Sequence, residues 1–561
     1  MPGLVGFTDK YCKYNQKILL EMRSLLKHYN SYVDEALYSD ENIYASRTHL
    51  SVIDQGKQPY ILDGKIFSWM EGEFYNQEEL KAKYNVISTT DNELLSNIYN
   101  STGSFEFLKD IDGYYAAVLY DKKEKIVYLI TDRYGFKPLY WGLINGDLAW
   151  SSELKGFLNH TTFMPVIDSE AVEEFFDIGY LLENRTWFEG VELMPPASVL
   201  SFNIKESKIN ITHYWSWSEI KPIKGSIDDE KGIAEELGRL FKQSVCKRVR
   251  NNERIGISLS GGLDSRAILA AVPENYKPLH TFTFGQKGCD DIRIAQKASE
   301  VKGIEHHTLI LDSDNWLMPR ISGVWKSDAS FNLLHMHGGM EFYDEYKKYI
   351  DFNLNGFLGD AILGGSYISE DQSVEYKVRN RGRRFINQAL LLGEAWLIHR
   401  RPFFDNDLVS LIFSIPESLR QGSYIYNKML LSAFPEYFNK IPWQKTGCPI
   451  SYPDQLVKLI MFKNRIINKL KRESKRFGFN FTDLNNYTDY PNWLRQEPAR
   501  SFFENILYSK NAIYPEYVDK AKVEKYLRDH VQNKANYHNK LCTALTFELW
   551  LKQVFEGNYR E

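Results

Sequence analysis

Near the middle of the chain the hexapeptide Ser260-Gly261-Gly262-Leu263-Asp264-Ser265 separates the apolar run ERIGISLS from the helical pattern RAILAAV. Two adjacent glycines let backbone N–H groups turn toward an anion, and the helix start beyond them adds a favourable dipole. The hydroxyls of Ser260 and Ser265 can donate to phosphate oxygens. Asp264 is an acid beside an anion site, which makes sense only if a divalent cation arrives with the phosphates. The spacing is not that of G-x-x-x-x-G-K-[ST], and the hexapeptide has no lysine. A second acid, Asp360, lies just after the strand-like run DFNLNG, at a strand end where open α/β sheets bind ligands. Asp264 and Asp360 together are expected to hold magnesium on the bound phosphates. The bland alternative is a capped βα turn plus a solvated loop acid, and the whole hexapeptide at the first strand-to-helix crossing argues against it.

The elements that must position these groups follow from periodicity. Up to about residue 210 the chain reads mostly as strands, with VYLITDRY, GDLAWSSEL and ASVLSFNI bounded by Gly, Pro, Asn and Asp. The polar stretch 221–232, KPIKGSIDDEKG, reads as a linker into a helix that places Ile233, Leu237, Leu240, Phe241 and Val245 on one face. Strand LHTFTFG, helix IRIAQKASEV and strand HHTLIL follow the hexapeptide, an alternation that predicts a parallel sheet covered by helices. Beyond about residue 370 the pattern is largely helical, and the basic run MFKNRIINKLKRESKRFG reads as a solvated helix face.

At 561 residues the chain calls for at least two domains. A net charge of -4 speaks against a nucleic-acid partner. Cys12, Cys246, Cys289, Cys448 and Cys542 are far apart, with no C-x-x-C pair, so reduced thiols in a cytoplasmic protein are expected. The start MPGLVGFTDK lacks a signal pattern and no apolar run reaches the ~18 residues that span a bilayer, so no membrane association is expected.

The hexapeptide resembles the pyrophosphate-binding loop of the ATP pyrophosphatase superfamily, and the whole chain resembles the asparagine synthetase family. GEFYN (72–76), DNELL (91–95), DIDGYYAAVLYD (110–121), DRYGFKPLYW (132–141) and SSELKGF (151–157) match its amidotransferase half. LMPPAS (193–198) and HYW (213–215) match the junction; Asp291 with AQKA, His306-His307, LGD…LGG (358–365) and RRPFFDNDLV (400–409) match the synthetase half. The resemblance implies an Ntn-hydrolase-like αββα sandwich, the glutamine amidotransferase-like domain, over 1–212. It implies a parallel-sheet α/β domain of PP-loop type with a helical carboxy-terminal part over 213–561. It further implies that Ser260 to Ser265 hold the ATP pyrophosphate, that Leu259, Asn355 and Gly356 pack around AMP, and that Asp264 and Asp360 bind Mg2+. Lys445, in PWQKTG, falls where the family stabilises the adenylation intermediate, and a cation there suits the charge that grows on the α-phosphate.

The departures from the pattern bear on function. Family glutaminases need Cys at position 2, as an amino-terminal nucleophile whose own amine is the base. Here the residue is Pro2. The arginine that grips glutamine aligns with His49, and the oxyanion-hole asparagine with Glu71, whose carboxylate is expected to oppose an oxyanion. Gly72, Glu73 and Asp91 persist, as relics of a degenerate glutaminase site or as fold supports. In the synthetase half, Phe357 and Ala361 replace family acids, which puts aspartate and ammonia in doubt as substrates; β-lactam synthetases have a catalytic tyrosine at the first of these positions, and Phe357 lacks that hydroxyl. The expectation is an ATP- and Mg2+-dependent, AMP-forming amide ligase that joins a small-molecule or peptide carboxylate to ammonia or an amine; a homodimer is compatible with it. Alternatives are a lasso-type peptide macrolactam cyclase and a non-catalytic nucleotide-binding regulator.

Overall fold

Alternating apolar residues in the amino-terminal part build two antiparallel sheets. The computed structural model describes residues 2–53, 56–223, 229–336, 340–474 and 484–560. The first sheet is seven-stranded and centres on Gly3–Thr8, which pairs with Ile43–His49 on one side and Asp147–Ser151 on the other. The second is six-stranded, with Gly113–Asp121 between Ile66–Phe74 and Ile126–Thr131. Leu4, Ile43, Phe67, Trp69, Val118 and Trp150 fill the space between them. Helix Gln16–Ser24 covers the outside of the first sheet with Ile18, Leu19 and Met22. Helix Asp91–Thr102 covers the second with Leu94, Leu95 and Ile98. The result is the expected four-layer αββα sandwich, in which each buried Leu or Ile contributes about 1.5–3 kcal/mol.

The second half is built on a five-stranded parallel sheet in the order Glu305–Ile310, Leu279–Gly285, Ile255–Ser258, Phe352–Leu354, Ile398–Arg400. Helices Asp264–Ala271 and Asp290–Lys302 are its crossovers. Helix Glu230–Lys247 buries Leu237, Leu240, Phe241 and Val245, four of the five expected residues, while Ile233 is only partly covered. The linker expected over 221–232 falls in part on 224–228, outside the described residues; Asp229 caps the helix, its carboxylate accepting from the Gly232 N–H at 2.7 Å. The basic run lies on helix Asp454–Ser474, where Lys458, Lys463 and Arg465 are solvated, and its residues 475–478 lie outside the described residues.

The two halves are joined through buried contacts. Helix His538–Leu551 packs Phe547 edge-to-face on Phe176 (centroids 5.6 Å apart) and beside Trp187 (5.4 Å), so the last helix closes on the first domain. Arg400, at the end of the last parallel strand, is fully buried and donates to both carboxylate oxygens of Glu73 at 2.6 and 2.9 Å. Arg248 reaches Asp112 at 3.1 Å and Asp405 at 3.3 Å. Among the described residues no helix is long and apolar enough to cross a membrane.

Candidate nucleotide site and the altered amino-terminal site

The central strand Ile255–Ser258 releases the chain at its carboxyl end into Leu259–Leu263, and Asp264 opens the following helix. The turn is held by its own serine hydroxyls and by Asp291. The Ser260 N–H donates to Ser265 Oγ (3.0 Å), the Gly262 N–H to Ser260 Oγ (3.2 Å), and the Gly261 N–H to Asp291 Oδ1 (2.8 Å). Opposite, the neighbouring strand Phe352–Leu354 delivers Asn355, Gly356 and then Asp360. Glycine is required here by close approach. A Cβ on Gly356 would lie 2.9 Å from Asp264 Cβ, and one on Gly359 would lie 2.7 Å from Asp264 Cγ and from the Phe403 ring.

These segments line one cleft of about 440 Å³ with Ser260, Gly262, Leu263, Asp264, Ser265, Asn355, Gly356, Asp360 and Lys445. Leu259 and Gly261 do not line it. Leu259 is buried beneath the turn, and Gly261 is backed by Gln444, whose N–H donates to the Gly261 carbonyl at 3.1 Å. Asp264 Oδ2 accepts from the Asp360 N–H and Oδ1 from the Tyr426 hydroxyl, both at 2.8 Å. Burial pushes the Asp264 carboxyl up to about 7; the Asp360 N–H opposes that rise and the Asp360 charge adds to it. Two carboxylates facing a cleft of hydroxyls and amides form a hard oxygen donor set, which fits magnesium. Lys445 is exposed at the rim, its ammonium 5.0 Å from the centre of the Trp443 ring, with no carboxylate partner among the described residues. Sequence reasoning missed Ser258, Trp443, Gln444 and Tyr426. The first three adjoin known motifs, but Tyr426, 162 positions from Asp264, carries no local signal.

Phe357 turns away from the cleft. It is buried in an aromatic cluster between the domains, edge-on to Phe136 at 5.1 Å and near Phe404 at 5.4 Å, so this residue serves the junction. Ala361 is buried as well. Past the turn that carries Asp360, where the Ser366 N–H returns to the Asp360 carbonyl at 3.2 Å, a second cavity of about 550 Å³ opens. Tyr180, Tyr367, Tyr376, Gln372, Asn380 and Arg381 contribute to its wall. Arg381 has no carboxylate partner among the described residues, and burial pushes the Tyr367 hydroxyl up while the Arg381 charge beside it works the other way.

In the amino-terminal site Pro2 is buried at the head of strand Gly3–Thr8. Glu71 is not the bare opposing charge expected from the sequence. Arg47 binds it through Nε at 3.0 Å and Nη2 at 2.9 Å, because Arg47 on the adjoining sheet points into the same space. His49 stands 3.5 Å from Glu35, and burial together with the Arg47 charge lowers its basicity. Glu73 is drawn out of this group into the inter-domain pair with Arg400. Burial alone would raise its carboxyl, but Arg400 overrides that and holds it below the ordinary range. Asp91 accepts from the Phe74 N–H at 3.0 Å and from Gln77, and Gly72 (φ +126°) passes so close to Tyr114 that a Cβ would lie 2.0 Å from its carbonyl oxygen. All three persistent residues support the fold.

An αββα sandwich followed by a parallel-sheet domain with a glycine-turn cleft defines an amidotransferase-type module joined to a nucleotide-type synthetase module. A family model described as glutamine amidotransferase domain matches residues 1–215, and one described as asparagine synthase matches residues 236–397. The chain belongs to the asparagine synthetase family. A putative asparagine synthetase [glutamine-hydrolyzing] 2 of Methanocaldococcus jannaschii is 28% identical over 52% of this chain and 58% of its own length. Asparagine synthetase [glutamine-hydrolyzing] 1 of Bacillus subtilis is 26% identical over 65% of this chain and 59% of its own, and the Gallus gallus asparagine synthetase [glutamine-hydrolyzing] is 27% identical over 70% and 73%. The chain thus spans less than two thirds of the length of the first two relatives.

Proposed function

We propose that the chain is an ATP-dependent amide ligase that activates a carboxylate as its acyl-adenylate, releases pyrophosphate, and completes the amide with free ammonia or an amine in place of glutamine-derived ammonia. The observation that carries this reading is the single cleft gathering the 260–265 turn, Asn355, Gly356, both carboxylates and Lys445. The turn's hydroxyls and helix start bind and orient the pyrophosphate. Asp264 and Asp360 would hold magnesium, which supplies charge neutralisation on the phosphates. The Lys445 ammonium at the rim meets charge that builds on the α-phosphate as the carboxylate attacks. The acid is assigned to the neighbouring cavity, where Arg381 offers an unneutralised guanidinium and the tyrosines and amides suit a polyhydroxylated or amide-bearing body. Pro2 and the Arg47–Glu71 pair support the amine choice, since position 2 carries no thiol and the residue aligned with the oxyanion-hole asparagine is a carboxylate held by Arg47.

The test is pyrophosphate exchange into ATP across a panel of sugar acids, amino acids and peptides. An acid-dependent exchange that Asp264→Asn and Asp360→Asn each abolish is expected, with AMP as the product. Formation of ADP would overturn the reading. Arg381→Ala should raise KM for the accepted acid and leave that for ATP unchanged.

A further inference from the structure

A second donor cluster lies away from the cleft. His280 is the second residue of strand Leu279–Gly285; Glu305 and His307 are the first and third of the edge strand Glu305–Ile310. The parallel register pairs His280 with Glu305 and Phe282 with His307. Residues two apart share a face of a strand, so the two imidazoles and the carboxylate project from the same side of the sheet. His306 projects from the other side and hydrogen-bonds Thr281 at 3.0 Å. His280 Nδ1 and His307 Nε2 are 3.1 Å apart, and the two Glu305 oxygens lie 3.7 Å from one nitrogen each. Both imidazoles are mostly covered, with the Tyr349 ring packed 4.2 Å from that of His307 and 5.2 Å from that of His280, whereas the Glu305 side chain is 63% exposed.

We propose that His280, His307 and Glu305 form a binding site for one divalent transition-metal ion of the zinc class. An ion at the usual ~2.0–2.1 Å from each donor would see the two imidazole nitrogens about 95–102° apart and a carboxylate oxygen about 124–135° from the nearer nitrogen, so a small inward turn of the exposed Glu305 side chain gives a distorted tetrahedron with its fourth position open to solvent. Two imidazoles with one carboxylate select zinc and its neighbours over magnesium, whereas the oxygen-only pair Asp264 and Asp360 does the reverse. The cluster sits at the amino ends of the parallel strands, and the nucleotide cleft lies at their carboxyl ends. Its role is therefore separate from the ligase step: the ion staples the edge strand to its one neighbour.

Equilibrium dialysis of the full chain against Zn2+, with metal analysis, should give one zinc per chain that excess Mg2+ does not displace. Co2+ in its place should show a ligand-field absorption band. His280→Ala and His307→Ala should each weaken zinc binding by more than about 10-fold, the loss that even an outer-shell partner causes, and remove the Co2+ band. Zinc should raise the melting temperature of the wild type and not of either variant. Should a histidine variant misfold, Glu305→Gln serves instead, because its exposed carboxylate is outside the core. Absence of a stoichiometric zinc in the wild type would overturn the proposal, leaving the 3.1 Å contact as an imidazole–imidazole hydrogen bond. So would affinity unchanged in all three variants, which would place the ion on other histidines.

Discussion

At the residue scale, the decisive contrast is between two charged groups. Among the described residues Lys445 has no carboxylate partner, whereas Glu71 is held by Arg47. An unpaired ammonium at the rim of an anion cleft is available to act when charge develops, so Lys445→Ala is expected to lower kcat by about 10²-fold or more, as loss of one stabilising donor does. ATP affinity should change little, because the 260–265 turn holds the pyrophosphate; steady-state kinetics with direct ATP binding checks both. A loss of ATP binding at unchanged kcat would remove Lys445 from the chemical step. Glu71, tied to Arg47, cannot simply be exchanged to rebuild an oxyanion hole. Pro2→Cys should therefore release no glutamate from glutamine above the blank. Pro2→Cys with Glu71→Asn should also fail, and should be less stable, since Arg47 is then left buried without its main partner. Glutamate release by the wild type in a glutaminase assay would contradict the account.

At the element scale, the cleft depends on two neighbouring strand ends approaching within van der Waals distance. Gly359 is the tightest point, its hydrogen facing Asp264 Cγ and the Phe403 ring. Gly359→Ala should force the Asp360 turn away from the Asp264 helix and abolish pyrophosphate exchange, with circular dichroism unchanged. Overpacking of this kind costs about 1–3 kcal/mol, too little to unfold the domain. Retained exchange would show that the two turns move independently. Tyr426 belongs to the same scale. Its helix, Tyr424–Ala433, is placed by packing on Glu230–Lys247, and the hydroxyl then reaches Asp264.

At the scale of the whole molecule, the two modules are held together by buried ion pairs and aromatic rings. Removing one partner of such a pair costs about 3–5 kcal/mol because the other charge stays buried. Arg400 keeps Glu253 at 2.8 Å when Glu73 is neutralised, so Glu73→Gln should fall at the low end of that range at neutral pH. The pH dependence follows from the depressed Glu73 carboxyl. Its stabilisation is complete above the ordinary value of 4.5 and disappears as pH falls through the lower folded value. Urea unfolding midpoints of wild type and Glu73→Gln should therefore differ most near neutrality and converge below pH 4.5. A constant difference across that window would mean that Glu73 is not ionised in the folded protein.

The sequence by itself determined the order of elements, while the αββα layering was an implication of the family resemblance. Period-two alternation in the first 210 residues, the strand–helix alternation after residue 254 and the glycine turn at 260–265 are local signals, and each appears where expected. That position 2 is Pro is likewise read from residue type alone. What surrounds each side chain was decided only by the tertiary structure. Arg47 meets Glu71 because two sheets face each other, Glu73 leaves its neighbours for Arg400 at a separation of 327 residues, and Phe357 turns into the junction although the preceding Asn355 and Gly356 line the cleft. Such pairings depend on how modules dock. Periodicity reports only which face of an element is buried, never which distant group it is buried against.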